Sequence, residues 1–201
     1  MNKKTYHLKN NDKVIIRDLG EKDVKKLYDF FTTIPESKRS FFRSDVIDKK
    51  HLKERAKQSE SGKMIRRIAL IENKIIGDAS LEAETDSWKN GASHLRLVVH
   101  GKQLGKEIQY IIAKDMYEIA QENNIERIIT KFMRPQKDLL DIYTKIGFKI
   151  EGVLPDYVHD LKGKEQDMVI MTASLKDIYS AYIFIGEWLD KDHSSVGAGE
   201  M

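Results

Sequence analysis

Hydrophobic positions repeat along the chain with two spacings, which predict a succession of strands and amphipathic helices. The most regular helical stripe follows Gly105, where apolar residues recur every three or four positions: Ile108, Ile111, Ile112, Met116 and Ile119. Short β-branched runs predict strands at residues 14–17, 65–71, 74–84, 93–100, 127–133, 148–153 and 166–174. Further helices are predicted from residue 21 towards Pro35, from an Asp48 cap to Ser59, and from Pro135 to Gly147.

The pattern indicates one domain with additions at both ends. Residues 13–175 hold the regular elements, whereas residues 1–12 are polar and predict a loose N-terminal arm. Residues 176–190 predict a C-terminal helix, whose apolar stripe includes Ile178, Ile185 and Trp188. This stripe either packs onto the domain or forms a homodimer contact. Residues 191–201 are small and polar, and we expect them to be disordered.

Composition removes several classes of protein and site. Charged residues make up 33 % of the chain, hydrophobic residues 40 %, and the net charge is only +3, as in ordinary globular proteins. Without cysteine there is no disulfide, thiolate nucleophile or cysteine metal site, and the six histidines are too scattered to form a metal site. No apolar run is long enough to span a bilayer, and the N-terminus lacks a secretory signal, so we expect a cytoplasmic protein.

The strand, turn and helix of residues 95–110 form a pattern suited to binding phosphate. Main-chain N–H groups at the start of the helix, with its positive dipole end, favour an anion. The residues that supply them are Lys102, Gln103, Leu104, Gly105 and Lys106. In the alternative interpretation Gly105 only makes a turn, and Glu107 stabilises the helix by ~0.3–1 kcal/mol.

Together with a helix that ends Tyr143-Thr-Lys-Ile-Gly-Phe148, this turn resembles the GNAT acetyltransferase superfamily. The resemblance covers residues 14–174 and implies an α/β fold (α+β in some schemes). Its central sheet is mixed and mostly antiparallel, with helices on both faces, and the predicted C-terminal helix extends it. The implied activity is transfer of an acetyl group from acetyl-CoA to a primary amine.

The resemblance also implies where acetyl-CoA binds. The family turn reads Gln/Arg-x-x-Gly-x-Gly/Ala and holds the pyrophosphate; here Lys102 replaces the first residue, Gly105 matches, and Glu107 replaces the last. The rest of the cofactor is expected along Leu97, Val98 and Val99. If Glu107 points at the turn, it competes with phosphate for the same positive helix end.

The resemblance also implies that the helix before Gly147 supplies the residue that acts on the leaving group. In the family its tyrosine hydroxyl faces the CoA sulfur, and Tyr143 matches it, with Gln136 in place of asparagine and Leu139 in place of alanine. A phenol with a reference pKa near ~10 suits an acid that protonates a thiolate. The alternative is that Tyr143 is a core aromatic with a satisfied hydroxyl.

A base is needed to deprotonate the attacking amine, and two strands offer candidates. Alternation places Asp78 and Glu82 on one face of the strand at residues 74–84, and His94 and Arg96 on one face of the strand at residues 93–100. Glu82 and His94 are the leading candidates, although each is equally consistent with a solvated sheet-edge residue.

Two other functions stay open. A GNAT scaffold without activity would sense acyl-CoA or mediate protein association, which the substitutions at Glu107 and Leu139 motivate. The basic run at residues 49–57 is interpreted as a solvated helix face, and RNA binding is the less favoured alternative for it. The acceptor is not fixed by the sequence, because one fold serves many substrates.

Overall fold

The computed structural model describes residues 3–83, 91–100 and 105–181, apart from the side chain of Lys106. The strands are β1 (Lys4–His7), β2 (Lys13–Asp18), β3 (Ile65–Ile71), β4 (Lys74–Ala83), β5 (Ala92–Val99), β6 (Arg127–Met133), β7 (Lys149–His159) and β8 (Glu165–Ser174). The helices are α1 (Val24–Thr33), α2 (Glu36–Arg39), α3 (Lys49–Glu60), α4 (Gly105–Glu122) and α5 (Lys137–Lys145). A 3-10 turn at Glu21–Asp23 precedes α1, and residues 175–181 are also helical.

The eight strands form one sheet in the order β1-β2-β3-β4-β5-β6-β8-β7. Only β5 and β6 are parallel, because α4 carries the chain across between them. Alternate residues of β5 face two different cores: Leu97 packs with α4 and α5, whereas Val98 packs with α1 and α3. The mixed, mostly antiparallel sheet with helices on both faces is thus confirmed.

The sheet differs from the sequence prediction at both of its edges. The loose arm predicted for residues 1–12 is wrong, because Lys4–His7 pairs with β2 and Leu8 is fully buried. At the other edge, β7 continues past the predicted end at Val153 to His159 and includes Pro155. A register shift between Leu154 and Val158 accommodates the proline, which an edge strand tolerates.

Local sequence explains how the chain enters and leaves several helices. Asp48 caps α3, accepting a hydrogen bond from the Lys50 N–H at 2.8 Å, as predicted. Ser174 Oγ accepts from the Asp177 N–H at 3.1 Å, and Asp177 accepts from the Ser174 N–H at 3.3 Å, which forms a capping box for residues 175–181. The predicted C-terminal helix is thus helical as far as residue 181, and the remainder of residues 176–190 and the tail at 191–201 lie outside the described residues.

The parallel pair of strands separates soon after it forms, and this positions the site. β5 and β6 are in register only from Ala92 to His94 on β5 and from Arg127 to Ile129 on β6. Beyond His94 the remaining β5 residues pair with β4 alone, whereas β6 continues along β8 to Met133. A gap therefore opens in the middle of the sheet.

Candidate functional site

A cavity of about 490 Å³ occupies the gap between β5 and β6. It is lined from both faces of the sheet. Gln109 of α4 and Leu139 of α5 line it on one face, and Phe31 of α1 and Arg55 of α3 line it on the other. A molecule in this cavity would therefore reach both sides of the sheet, which suits a reaction between two substrates that enter separately.

The strand residues predicted to hold acetyl-CoA all line this cavity. They are Leu97, Val98 and Val99, and the structure brings them together with Gln136 and Tyr143. Since β5 has no register partner on β6 beyond His94, its main-chain groups on that side are not used by the sheet. An exposed strand edge of this kind can bind an extended ligand through main-chain hydrogen bonds.

Tyr143 lies in the wall of the cavity and is 1 % exposed. Its ring stacks on Phe132 at 5.9 Å between centroids and meets Phe148 at 5.1 Å. Its hydroxyl bonds with the Thr130 side chain and the Leu97 main chain, while burial raises its pKa to about 12. The side chain is therefore both a packed core aromatic and a neutral hydroxyl at the cavity, so the two interpretations of the sequence are not exclusive.

Gln136 and Leu139 serve the local structure as well as the cavity. Gln136 Oε1 accepts a hydrogen bond from the Met133 N–H at 3.0 Å and so closes the turn between β6 and α5. Leu139 is half-buried against the core beneath α4 and α5. Both residues still line the cavity.

The predicted phosphate turn is only partly described. Lys102, Gln103 and Leu104 lie outside the described residues, whereas Gly105 is the first residue of α4, as the sequence predicted. Glu107 is described, and its Oε1 accepts a hydrogen bond from the Lys9 N–H at 3.0 Å. The carboxylate at the start of α4 is therefore bonded to the turn between β1 and β2.

Glu82 and His94, the predicted candidate bases, are partners across β4 and β5. Glu82 Oε2 accepts a hydrogen bond from Arg96 Nη2 at 2.8 Å. Over the described residues, the lining of the cavity includes neither Glu82 nor His94. His94 is nevertheless the last β5 residue in register with β6, so both lie beside the point where the strands part.

Four arginines that were not predicted as site residues line the α1/α3 side of the cavity: Arg43, Arg55, Arg66 and Arg96. Arg66 forms a buried two-point ion pair with Asp78, at 2.8 Å from Nε to Oδ1 and 2.6 Å from Nη2 to Oδ2. The interpretation of residues 49–57 as a solvated face is wrong for Arg55, which points into the cavity from α3. Alternation grouped Asp78 with Glu82 along β4 and Arg96 with His94 along β5, but it gave no signal for Arg55.

Within residues 3–83, 91–100 and 105–181 no cluster of three or more histidine or acidic side chains has a geometry suited to a metal ion. In the same residues no helix has the length and apolar character needed to cross a membrane.

Comparison with known proteins gives no match to any protein-family model and none to a curated protein by sequence. Solved structures do match. A GNAT-family acetyltransferase from Streptococcus pneumoniae superposes with a TM-score of 0.65 at 20 % identity, over 80 % of this chain and 99 % of that one. A ribosomal-protein-alanine N-acetyltransferase from Brucella melitensis superposes with a TM-score of 0.69 at 18 % identity, over 79 % of this chain and 98 % of that one.

A third neighbour is the ribosomal-protein alpha-N-acetyltransferase RimL in complex with coenzyme A. It gives a TM-score of 0.68 at 14 % identity, over 80 % of this chain and 93 % of that one. At such identities the likeness concerns the fold. The chain therefore has the fold of the GNAT acetyltransferases, as the sequence resemblance predicted.

Proposed function

We propose that this chain is an N-acetyltransferase, which moves an acetyl group from acetyl-CoA to a primary amine. The observation that supports the proposal most strongly is the cavity between the separated strands β5 and β6, with the Tyr143 hydroxyl in its wall. The GNAT fold adds to it, and so does the neighbour RimL in complex with coenzyme A.

The residues present fit acetyl-CoA as the donor substrate. The pantetheine arm has amide groups that suit the main-chain edge of β5 at Val98 and Val99, next to Leu97, whose main chain is bonded to the Tyr143 hydroxyl. Gln136 and Tyr143 line the same cavity. The pyrophosphate is assigned to the main-chain N–H groups of residues 102–106, as the resemblance implies.

In the proposed reaction the amine nitrogen bonds to the thioester carbonyl carbon, and the carbon–sulfur bond breaks. Tyr143, whose pKa is about 12, keeps its proton at neutral pH and donates a hydrogen bond to the departing sulfur. Complete transfer of its proton to the thiolate would be uphill, because burial raises the pKa of this phenol above that of a thiol. Tyr143 therefore stabilises the thiolate chiefly by hydrogen bonding, and the proton that the amine loses ends on the thiol.

Glu82 and His94 remain the proposed bases, acting through water because neither lines the cavity. Their roles are separated by Glu82→Gln and His94→Gln. Loss of the base removes the acidic limb of the kcat/KM–pH profile, whereas loss of a structural side chain lowers the whole profile. If both variants keep the wild-type limb, neither residue is the base.

Calorimetry with acetyl-CoA and CoA, followed by thiol release over a panel of amines, tests the proposed function. Micromolar binding with thiol release supports the enzyme. Binding without release by any amine would favour the scaffold that senses acyl-CoA, and no detectable binding would remove both. A cytoplasmic location and a homodimer formed through the C-terminal helix remain predictions.

A further inference from the structure

The cavity is strongly cationic. Seven lysine or arginine residues line it, against two aspartates. Four of the seven are the arginines on the α1/α3 side, which lies across the sheet from α4 and α5. These four are Arg43, Arg55, Arg66 and Arg96, here called the arginine cluster.

The cluster is assembled from three separate parts of the chain. Arg66 of β3 and Arg96 of β5 both pair with Ser80 of β4, so they lie on the same face of the sheet, one on each side of that serine. Arg55 approaches from α3, where its Nη2 donates to Ser44 Oγ at 3.2 Å. Arg43 belongs to the segment between α2 and α3 and is exposed.

The neighbouring carboxylates do not balance these charges. Asp78 is held by Arg66 at two points, and Glu82 is bonded to Arg96. In the described residues no carboxylate forms an ion pair with Arg43 or Arg55, and the hydrogen-bond partner of Arg55 is a neutral hydroxyl. Four guanidinium groups against two carboxylates leave an excess of two positive charges.

The excess charge lies partly out of water, where it is costly. Burial, helped by Arg66 and Arg96, lowers the pKa of Arg55 to about 10. Burial and the neighbouring Arg43 also lower the pKa of Arg96. Within the described residues, Arg96 Nε is buried without a hydrogen-bond partner. Partly buried cations that repel one another, with one donor left without a partner, favour an anion between them.

We infer that the acceptor is a primary amine that carries a carboxylate, and that this carboxylate binds between Arg55 and Arg96. The inference rests on the proposed function, since it names the substrate class of that site. A carboxylate fits because its two oxygens match the planar fork of a guanidinium. Arg96 is also close enough to Tyr143 to influence its ionisation, which places the anion near the reacting centre.

Matched amine pairs in which an amide replaces the carboxylate test the inference by thiol release, with rates compared per unit of neutral amine. One pair is β-alanine and β-alaninamide; the other is a C-terminally amidated tripeptide with glutamate at its second position and the same peptide amide with glutamine. We expect kcat/KM to be at least about 10-fold higher for the acidic member of one pair, the gain of one charge-assisted contact. The pair that responds identifies a free amino acid or a peptide as the source of the carboxylate. Equal rates within both pairs would overturn the inference.

The variant Arg55→Gln assigns the preference to the cluster. It should reduce the preference for the acidic member to within about 2-fold, whereas Arg55→Lys, which keeps the charge, retains part of it. Lys53→Gln removes the same charge from an exposed position of α3 and serves as the matched control. A preference that survives in Arg55→Gln, or that is equally lost in Lys53→Gln, contradicts the role of Arg55.

Titration of glutarate by calorimetry separates failure of the inference from failure of the proposed function. Glutarate binding that is weakened at least about 10-fold in Arg55→Gln supports the anion site even if acetyl-CoA does not bind. Acetyl-CoA binding and turnover without preference for acidic amines would instead leave the enzyme intact and remove the anion site. Glutarate binding that is equal in wild type and Arg55→Gln also counts against the site.

Discussion

The carboxylate of Glu107 accepts a hydrogen bond from the backbone N–H of Lys9 at 3.0 Å. This contact joins the first turn of α4 to the turn between β1 and β2. Lys9 and Glu107 are 98 residues apart in the sequence. Glu107 is the main departure from the family turn, and its effect on a bound pyrophosphate depends on where its charge lies. Because one oxygen is bonded to Lys9, the carboxylate has a structural partner outside the turn.

We expect Glu107→Gln to leave the Kd for acetyl-CoA within about 3-fold of wild type, because an amide oxygen can keep the bond to Lys9 and the carboxylate is not needed elsewhere. Calorimetry measures this directly. Glu122→Gln, at the last residue of α4, is the matched control. A tightening of more than about 10-fold in Glu107→Gln alone would indicate that the carboxylate competes with phosphate.

For Tyr143→Phe we expect kcat to fall about 100-fold while the Kd for acetyl-CoA stays within about 2-fold, since the ring packing is kept and only the hydroxyl is lost. Stopped assays of thiol release give kcat, and calorimetry gives the Kd. Tyr157→Phe, at a 63 % exposed residue of β7, is the control. Unchanged turnover in Tyr143→Phe would remove Tyr143 from the mechanism.

The raised pKa of Tyr143 also predicts how the stability of the protein changes at alkaline pH. Burial raises its pKa to about 12, above the ~10 of an unfolded tyrosine. The folded state therefore binds this proton more tightly than the unfolded state does. The contribution of Tyr143 to the free energy of unfolding is complete below about pH 10 and is lost as the pH rises towards 12. Urea unfolding at pH 8 and pH 11 should show a smaller loss of stability in Tyr143→Phe than in wild type. An equal loss in both proteins would contradict the raised pKa.

Arg67 and Asp115 tie β3 to α4 through a buried ion pair, with 2.7 Å between Nε and Oδ2. Lys4 joins the same carboxylate at 3.0 Å, so β1 is held as well. Asp115→Asn leaves Arg67 buried with its charge only partly compensated by Asp18, and should lower the free energy of unfolding by about 3 kcal/mol. Urea titration measures this loss of unfolding free energy. The control is Asp138→Asn, which removes an exposed ion pair and should cost about 0–1 kcal/mol. Equal losses in the two variants would contradict this account.

Two features of the structure require glycine at position 147: its backbone conformation and the close approach of a neighbouring residue. Its φ is +96°, and a Cβ there would lie 2.8 Å from the Asp177 carbonyl oxygen. Gly147→Ala should therefore cost about 2–3 kcal/mol of unfolding free energy. Gly152→Ala is the control, because nothing lies within 4 Å of a Cβ at that position. Similar stabilities of the two variants by thermal or urea unfolding would show that the close approach at Asp177 is relieved at little cost.

Local patterns were sufficient for the elements in the middle of the chain. The periodic stripe after Gly105 became α4, and Gly147 took the left-handed conformation predicted after α5. At the edges of the sheet, β1 was missed because Lys4–His7 is polar, and the second half of β7 was missed because its proline looks like a loop signal. An edge strand needs only one buried side and few ladder bonds, so its sequence gives a weak signal.

For the cavity, the sequence by itself determined that Tyr143 and the strand at Leu97 are candidate site residues, because each belongs to a short local motif with fixed spacing, and both line it. Only the tertiary structure decided that Arg55 faces inward beside Arg96, or that Glu107 is bonded to Lys9. These contacts join residues that are tens of positions apart. From the sequence alone, a charged side chain is predicted to face solvent, because the elements that pack against it are not known. Periodicity determines which residues share a face of one element. Whether a charged side chain on that face points inward or to solvent depends on what packs against the face.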